Sequence, residues 1–227
     1  MKNISAIILA AGESKRMGRN KLSLPYKGMP LIGHTFQLVD KIDFLECIVV
    51  ISPKNAEDLI GLNFPKKTKI VYNFNPERGQ SYSVVLGTKE AKGEGYLFFT
   101  GDQPLLTVEI IEGIVGKAAI NRIVYPLKED GKPSNPTFFG KDFREELLSI
   151  EGDEGGRQIR KKHPQACYSF TPEKTRVLID TDALEDIDSL EDIDALKDID
   201  TLEDIGALEG VDALEDIDNL EDIDSFK

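Results

Sequence analysis

Through about the first 120 residues, short apolar runs alternate with stretches of helical spacing, and few architectures accept that rhythm. Ile4–Leu9 reads as a buried strand. Leu31–Lys41 has helical spacing, with Leu31, Phe36, Leu38, Val39 and Ile42 forming an apolar side. Cys47–Ile51, Lys69–Tyr72, Tyr96–Thr100 and Arg122–Pro126 read as further strands. Between them, Asn55 is expected to cap a short helix through Leu59, Ser81–Lys92 reads as a helix, and Thr107 is expected to cap a helix through Ala119. Repeated strand–helix–strand units predict an α/β fold, a Rossmann-like and mostly parallel sheet with helices on both faces. Ligands of such sheets sit beyond the carboxyl ends of the strands. The first strand leads into Ala10–Lys21 and the strand Tyr96–Thr100 into Asp102, so these two segments are expected to meet at one crevice.

After Pro126 the rhythm changes. Asn135–Phe139 and Ala166–Phe170 read as strands, Asp142–Ser149 as a short helix, and Gly152-Asp153-Glu154-Gly155-Gly156 as a loop opening another helix. This portion is expected to build the acceptor side of the crevice. A six-residue repeat follows, ALEDID at Ala183–Asp188 and then SLEDID, ALKDID and further copies. Its Leu and Ile recur every three positions, so on an α-helix the apolar stripe drifts by about 60° per step instead of holding one face. Acidic residues also meet at helical spacing, as Glu185 does with Asp188. Covering one Leu and one Ile per repeat returns about 3–6 kcal/mol. That does not offset the roughly 6–12 kcal/mol needed to order six backbones. The chain is therefore divided into a folded domain over 1–182 and an acidic repeat tail over 183–227, disordered or irregularly helical.

The formal charge of −13 is spread unevenly. From Asp180 onward there are 20 acidic and 2 basic residues, whereas the 179 residues before it carry 21 acidic and 26 basic ones. A mildly basic body suits phosphate-bearing ligands. No basic patch interleaved with aromatics appears, so nucleic acid is not an expected partner. No apolar run is long enough to span a bilayer. The apolar start, Ile4–Ala11, is too short for a signal peptide and Glu13 follows it closely. The expectation is a cytoplasmic protein without membrane attachment. Cys47 and Cys167 both lie in apolar runs and are expected as two buried thiols.

The most informative segment is Leu9-Ala10-Ala11-Gly12-Glu13-Ser14-Lys15-Arg16-Met17-Gly18, closed by Lys21. Small residues directly after a strand let a ligand approach the backbone, and successive N–H groups there can cradle phosphate oxygens. Arg16 and Lys21 can neutralise charge on a leaving pyrophosphate. A Walker A loop is excluded, since five residues separate Gly12 from Gly18 and Arg19 follows. A G-x-G-x-x-G fingerprint is absent too. The second segment is Thr100-Gly101-Asp102-Gln103-Pro104, where Asp102 is placed to hold Mg²⁺ against triphosphate oxygens. His34 and His163 lack metal-spaced partners and read as surface or packing residues.

Together, LAAGESKRMGRNKLSLPYKGMPLI and the later GDQP resemble the nucleotidyltransferases of glycosyltransferase-A-like fold, over roughly Ile4 to Asp182. Within that group the chain is most similar to molybdenum cofactor cytidylyltransferases. Leu-Ala-Ala-Gly stands where guanylyl-transferring relatives show Leu-Ala-Gly-Gly. Gly79-Gln80-Ser81-Tyr82-Ser83 resembles the segment that reads the base. Asn135-Pro136 and the Gly152–Arg157 segment resemble the acceptor-side signature. The resemblance implies transfer of CMP from CTP to the terminal phosphate of molybdopterin or molybdenum cofactor, with Mg²⁺ and release of pyrophosphate. It implies triphosphate contacts from Arg16 and Lys21, and Mg²⁺ on Asp102. It implies nucleotide contacts from Leu9, Ala10, Ala11, Gly12 and Ser81, and acceptor contacts from Asn135, Asp153 and Arg157. A molybdenum hydroxylase apoprotein or its chaperone is the implied protein partner. The family ending, an Asp-Ile-Asp-Thr-Pro-Glu-Asp type segment, is only approximated by Ile179–Asp186, which leaves a second metal ligand unassigned. Two other readings compete: a nucleotidyltransferase for a sugar phosphate or methylerythritol phosphate, and a non-catalytic interaction protein acting through its acidic tail.

Overall fold

A computed structural model describes residues 3–12 and 20–180. Arg16 and the repeat tail over 183–227 lie outside the described residues. The strands are β1 (Ile4–Ala10), β2 (Pro25–Tyr26), β3 (Met29–Pro30), β4 (Glu46–Ile51), β5 (Thr68–Tyr72), β6 (Gly95–Thr100), β7 (Ile123–Pro126), β8 (Thr137–Gly140) and β9 (Cys167–Phe170). The α-helices are α1 (Leu31–Asp40), α2 (Pro53–Asp58), α3 (Gln80–Glu90), α4 (Val108–Lys117), α5 (Arg144–Ser149) and α6 (Arg157–Lys162).

Seven strands form one sheet in the order β5-β4-β1-β6-β8-β7-β9, and β2 with β3 makes a small hairpin. β5, β4, β1 and β6 run parallel, as the sequence rhythm predicts. β8 is reversed, pairing antiparallel with both β6 and β7, while β9 is parallel to β7. Reversal brings the start of β8 beside the end of β6, with Thr137 opposite Phe98. The residues just before β8, including Asn135, thus join the carboxyl-end crevice.

Side-chain alternation along β1 feeds two cores. Ile4, Ala6, Ile8 and Ala10 face one side with Phe36 of α1 and Ile110, Ile111 and Ile114 of α4. Ile7 faces the other with Val84 of α3, Leu147 of α5 and Ile159 of α6. Burying one such Ile, Leu or Phe contributes about 1.5–3 kcal/mol, which makes the sheet a rigid platform for what its ends carry. No helix among the described residues is long and apolar enough to cross a membrane.

Local chemistry accounts for the element ends. Asn55 does not cap α2. Ser52 does, accepting from the Asn55 N–H at 3.2 Å, with Pro53 in the first helical position. Thr107 occupies the N-cap position of α4, but its side chain makes no capping bond to the helix. That helix stops at Lys117, before Ala119, because Ala118 turns to extended backbone. Both cysteines are free thiols. Cys47 is buried, with its ionisation pushed up to about 12 by burial, whereas Cys167 is only half-buried. His34 pairs with the Tyr26 carbonyl and His163 with Glu146, which are packing roles.

Candidate active site

Strand register sets the site. Leu9 lies opposite Thr100, so the segments that leave β1 and β6 start side by side. Asn20 caps the following 3₁₀ turn, Lys21–Ser23, by accepting from the Leu22 N–H at 3.1 Å. Leu22 inserts into the core and Gly101 packs against it. A Cβ added at Gly101 would lie 3.0 Å from Ile32 Cγ1 and 3.1 Å from Leu22 Cδ2. That close approach brings Asp102 against the Lys21 turn. Lys21 Nζ donates to Asp102 Oδ2 at 2.5 Å, with side chains 20% and 14% exposed, so solvent screens the pair weakly. The two segments expected at one crevice do meet there.

The side chains where the chain leaves β1 are withdrawn. Ala10 and Ala11 are buried, so what this stretch offers a ligand is chiefly its backbone. Asn55, buried at α2, donates from Nδ2 to the carbonyls of Ala10 at 2.7 Å and Gly12 at 3.0 Å.

A pocket of about 230 Å³ opens at the ends of β1 and β6, where Leu9 and Thr100 line it. Leu9, Asn135 and Arg157 line it, as do Lys128, Lys132, Arg160, Glu154 and Asp180. Four cations against two carboxylates favour an anion. Lys128 is paired with Asp180 at 2.5 Å and Lys132 with Asp130 at 2.6 Å. Arg160 stacks 4.7 Å from the Tyr125 ring centroid. Burial disfavours its charged form, and the neighbouring Arg157 adds to this against the opposing influence of Tyr125. An anionic ligand would relieve that cost.

Two residues expected at the ligand are engaged elsewhere. Ser81 is fully buried; its hydroxyl donates to the Glu151 carbonyl at 3.1 Å and accepts from the Gly155 N–H at 3.1 Å. Asp153 does not line the pocket. Its Oδ1 accepts from the Gln80 N–H at 3.0 Å and so caps α3, whose own cap position is Gly79 at φ +85°. A side chain at Gly79 would meet the Gly152 carbonyl at 2.8 Å. Ser81, Asp153 and Gly79 thus lock the 151–155 loop against α3, and this lock positions Gln80 and Arg157 on the pocket wall.

Sequence reasoning missed Arg160, Lys128, Asp180, Asn55 and Gln103. Arg160 was within reach, since it sits one turn from Arg157 on the same helix face. Gln103 is buried and joins three segments. Its Nε2 donates to Ser134 Oγ at 3.2 Å and to the Leu178 carbonyl at 3.0 Å, and its Oε1 accepts from Thr100 Oγ1 at 3.3 Å. Arg78 stacks 4.1 Å from the Tyr82 centroid and borders a separate cavity.

Residues 6–167 match the family model described as MobA-like NTP transferase domain. The chain is 30% identical over 166 residues to purine catabolism protein PucB of Bacillus subtilis, covering 68% of this chain and 79% of that one. It is 34% identical over 126 residues to a 2-C-methyl-D-erythritol 4-phosphate cytidylyltransferase of Bacillus licheniformis, covering 51% of this chain and 52% of the relative. The structure of Rv0371C of Mycobacterium tuberculosis H37Rv, solved as a complex with manganese, superposes with a TM-score of 0.70 at 20% identity, covering 83% of this chain and 98% of that one. On the strength of the family match, which spans the strand-end loop, Asp102 and the pocket helix, the chain belongs to the MobA-like NTP transferase domain family.

Proposed function

We propose that the protein transfers CMP from CTP to the terminal phosphate of molybdopterin or molybdenum cofactor, releasing pyrophosphate, in the cytoplasm and for delivery to a molybdenum hydroxylase or its chaperone. The observation that carries the reading is the Lys21–Asp102 pair beyond the ends of β1 and β6, the same strand ends whose Leu9 and Thr100 line a pocket with Arg157 and Arg160. A triphosphate beside Lys21 and a phosphorylated acceptor beside the arginines would meet at the strand ends.

Asp102 fits a magnesium ion. Among the described residues, no three His, Cys, Asp or Glu side chains form a ready metal cage. A single carboxylate is nonetheless sufficient for Mg²⁺, which takes its remaining ligands from phosphate oxygens and water. The manganese held by the M. tuberculosis neighbour supports a divalent ion in this fold. When bound, the ion would polarise the α-phosphate. The acceptor phosphate is already ionised near neutral pH, so the chain need supply no general base. Its work is alignment and charge. Lys21 and Arg16 stabilise the departing pyrophosphate, the backbone of 10–12 seats the triphosphate, and Asn135, Arg157 and Arg160 hold the acceptor.

The choice of CTP is supported by Ala11, where guanylyl-transferring relatives carry glycine, and by likeness to a cytidylyltransferase. That likeness also favours a second acceptor, methylerythritol phosphate, which presents the same phosphate nucleophile. The test mixes the protein and Mg²⁺ with each NTP and either purified molybdenum cofactor or methylerythritol phosphate, and follows pyrophosphate release. Release is expected with CTP and the cofactor, falling by about 10²–10³-fold in Lys21→Ala and Asp102→Ala. Undiminished release in both variants would refute the site. Release with methylerythritol phosphate alone would move the assignment to the second acceptor.

A further inference from the structure

Asn55 is 3% exposed, and neither the family resemblance nor the reaction chemistry uses it. Its Nδ2 faces two carbonyl oxygens, those of Ala10 and Gly12. Carbonyls only accept, so the orientation of the carboxamide follows: the nitrogen, not the oxygen, points at the loop. The Ser52 cap fixes the first turn of α2 and hence the reach of this side chain.

In a trans peptide unit, the C=O of one residue and the N–H of the next point in opposite directions. Drawing the carbonyl of Ala10 toward Asn55 therefore turns the N–H of the same peptide unit, that of Ala11, away from it. Strand order decides what lies on that side. Asn55 follows β4, the loop follows β1, and Asp102 follows β6, in the spatial order β4-β1-β6. The Ala11 amide, turned away from Asn55, faces the side of Asp102 and Lys21. Without a double donor at position 55, the two carbonyls would lose their partners and the loop would be free to turn its oxygens toward the phosphates.

We propose that Asn55 is a positioning residue for the nucleotide: it holds the backbone of residues 10–12 so that the Ala11 N–H is presented to the triphosphate. The proposal rests on the reading of 10–12 as the nucleotide loop. Asn55 itself touches protein only.

The test uses the full chain, ¹⁵N-labelled, titrated with inorganic tripolyphosphate and Mg²⁺ while the Ala11 amide resonance is followed. The variants are Asn55→Leu and Asn55→Asp, close in size, neither offering two N–H donors, with Lys21→Ala as a control. In the native protein the Ala11 amide is expected to shift and gain protection from hydrogen exchange on binding. In both Asn55 variants the affinity is expected to fall about tenfold or more, with the Ala11 response lost and the acceptor KM unchanged. Folded Asn55 variants that bind tripolyphosphate like the native chain would overturn the proposal. Should the variants not fold, an Ala11 amide in the native chain that gains no protection would overturn it instead. Native and Lys21→Ala chains that bind tripolyphosphate equally would count against the nucleotide site, not against Asn55 alone.

Discussion

The carboxamide of Gln103 donates to the carbonyl of Leu178 at 3.0 Å, spanning 75 residues of sequence. Gln103 follows Asp102, and Leu178 stands two residues before Asp180 on the pocket wall. The same nitrogen reaches Ser134 Oγ, one residue before Asn135. One buried side chain thus ties the Asp102 loop to two segments that run along the pocket wall.

Replacing Gln103 by Leu would leave the Leu178 carbonyl and Ser134 hydroxyl short of a donor. The expected cost is about 1–3 kcal/mol of stability, measured by urea unfolding. Turnover with acceptor is expected to fall while binding of CTP alone is retained, since the Lys21 turn is untouched. Equal losses in both measurements would show that Gln103 merely stabilises the fold.

The cations of the pocket are expected to act on the acceptor. Arg160→Ala removes a guanidinium held over Tyr125 and facing the cavity. Losing a hydrogen bond to a charged group costs about 1.5–3 kcal/mol, so the KM for the phosphorylated acceptor is expected to rise by roughly 10–100-fold. The KM for CTP is expected to change little. Tyr125→Leu, which removes the stacking surface but leaves the guanidinium, is expected to give a smaller rise. A CTP KM that rises in parallel would place Arg160 on the nucleotide side.

Away from the site, Glu146 links α5 to the end of α6. It accepts from Lys162 Nζ and His163 Nε2, each at 2.7 Å. The Lys162 bond holds its carboxyl below the ordinary value of 4.5; partial burial opposes the shift and His163 adds to it. A carboxylate with a lowered folded pKa binds fewer protons when folded. Its stabilisation is therefore present above about pH 4.5 and disappears as the pH falls through the lower folded value. Both partners are partly exposed, so less than about 1 kcal/mol is expected. Thermal melts of native and Glu146→Gln protein should differ near pH 7 and converge as the pH falls below the ordinary carboxylate value of 4.5. A difference that persists unchanged into acid would contradict this account.

Much of the fold was legible along the chain. Each central strand is a short apolar run bounded by polar or glycine-containing segments, and period and burial coincide because a parallel strand covered on both faces has no polar side to show. Ile4–Leu9, Cys47–Ile51 and Tyr96–Thr100 were placed to within a residue. The reversed direction of β8 was not, because strand direction leaves no mark on local spacing. Lys21 and Asp102 could be named in advance because each lies in a segment that leaves the carboxyl end of a strand, and strand ends converge in this architecture.

Sequence by itself determined the layered sheet, the end of the sheet where ligands gather, and the two charged groups that meet there. Only the tertiary structure decided how the buried polar residues are used. Asn55 has the composition of a helix cap, yet its carboxamide braces Ala10 and Gly12; Ser81 and Asp153 lie in ligand-like segments, yet they fasten a loop to α3. The reason is physical. A buried donor or acceptor must be satisfied by whichever group the fold brings within about 3 Å. For these side chains that group lies 43 to 73 residues away, beyond the reach of any local pattern.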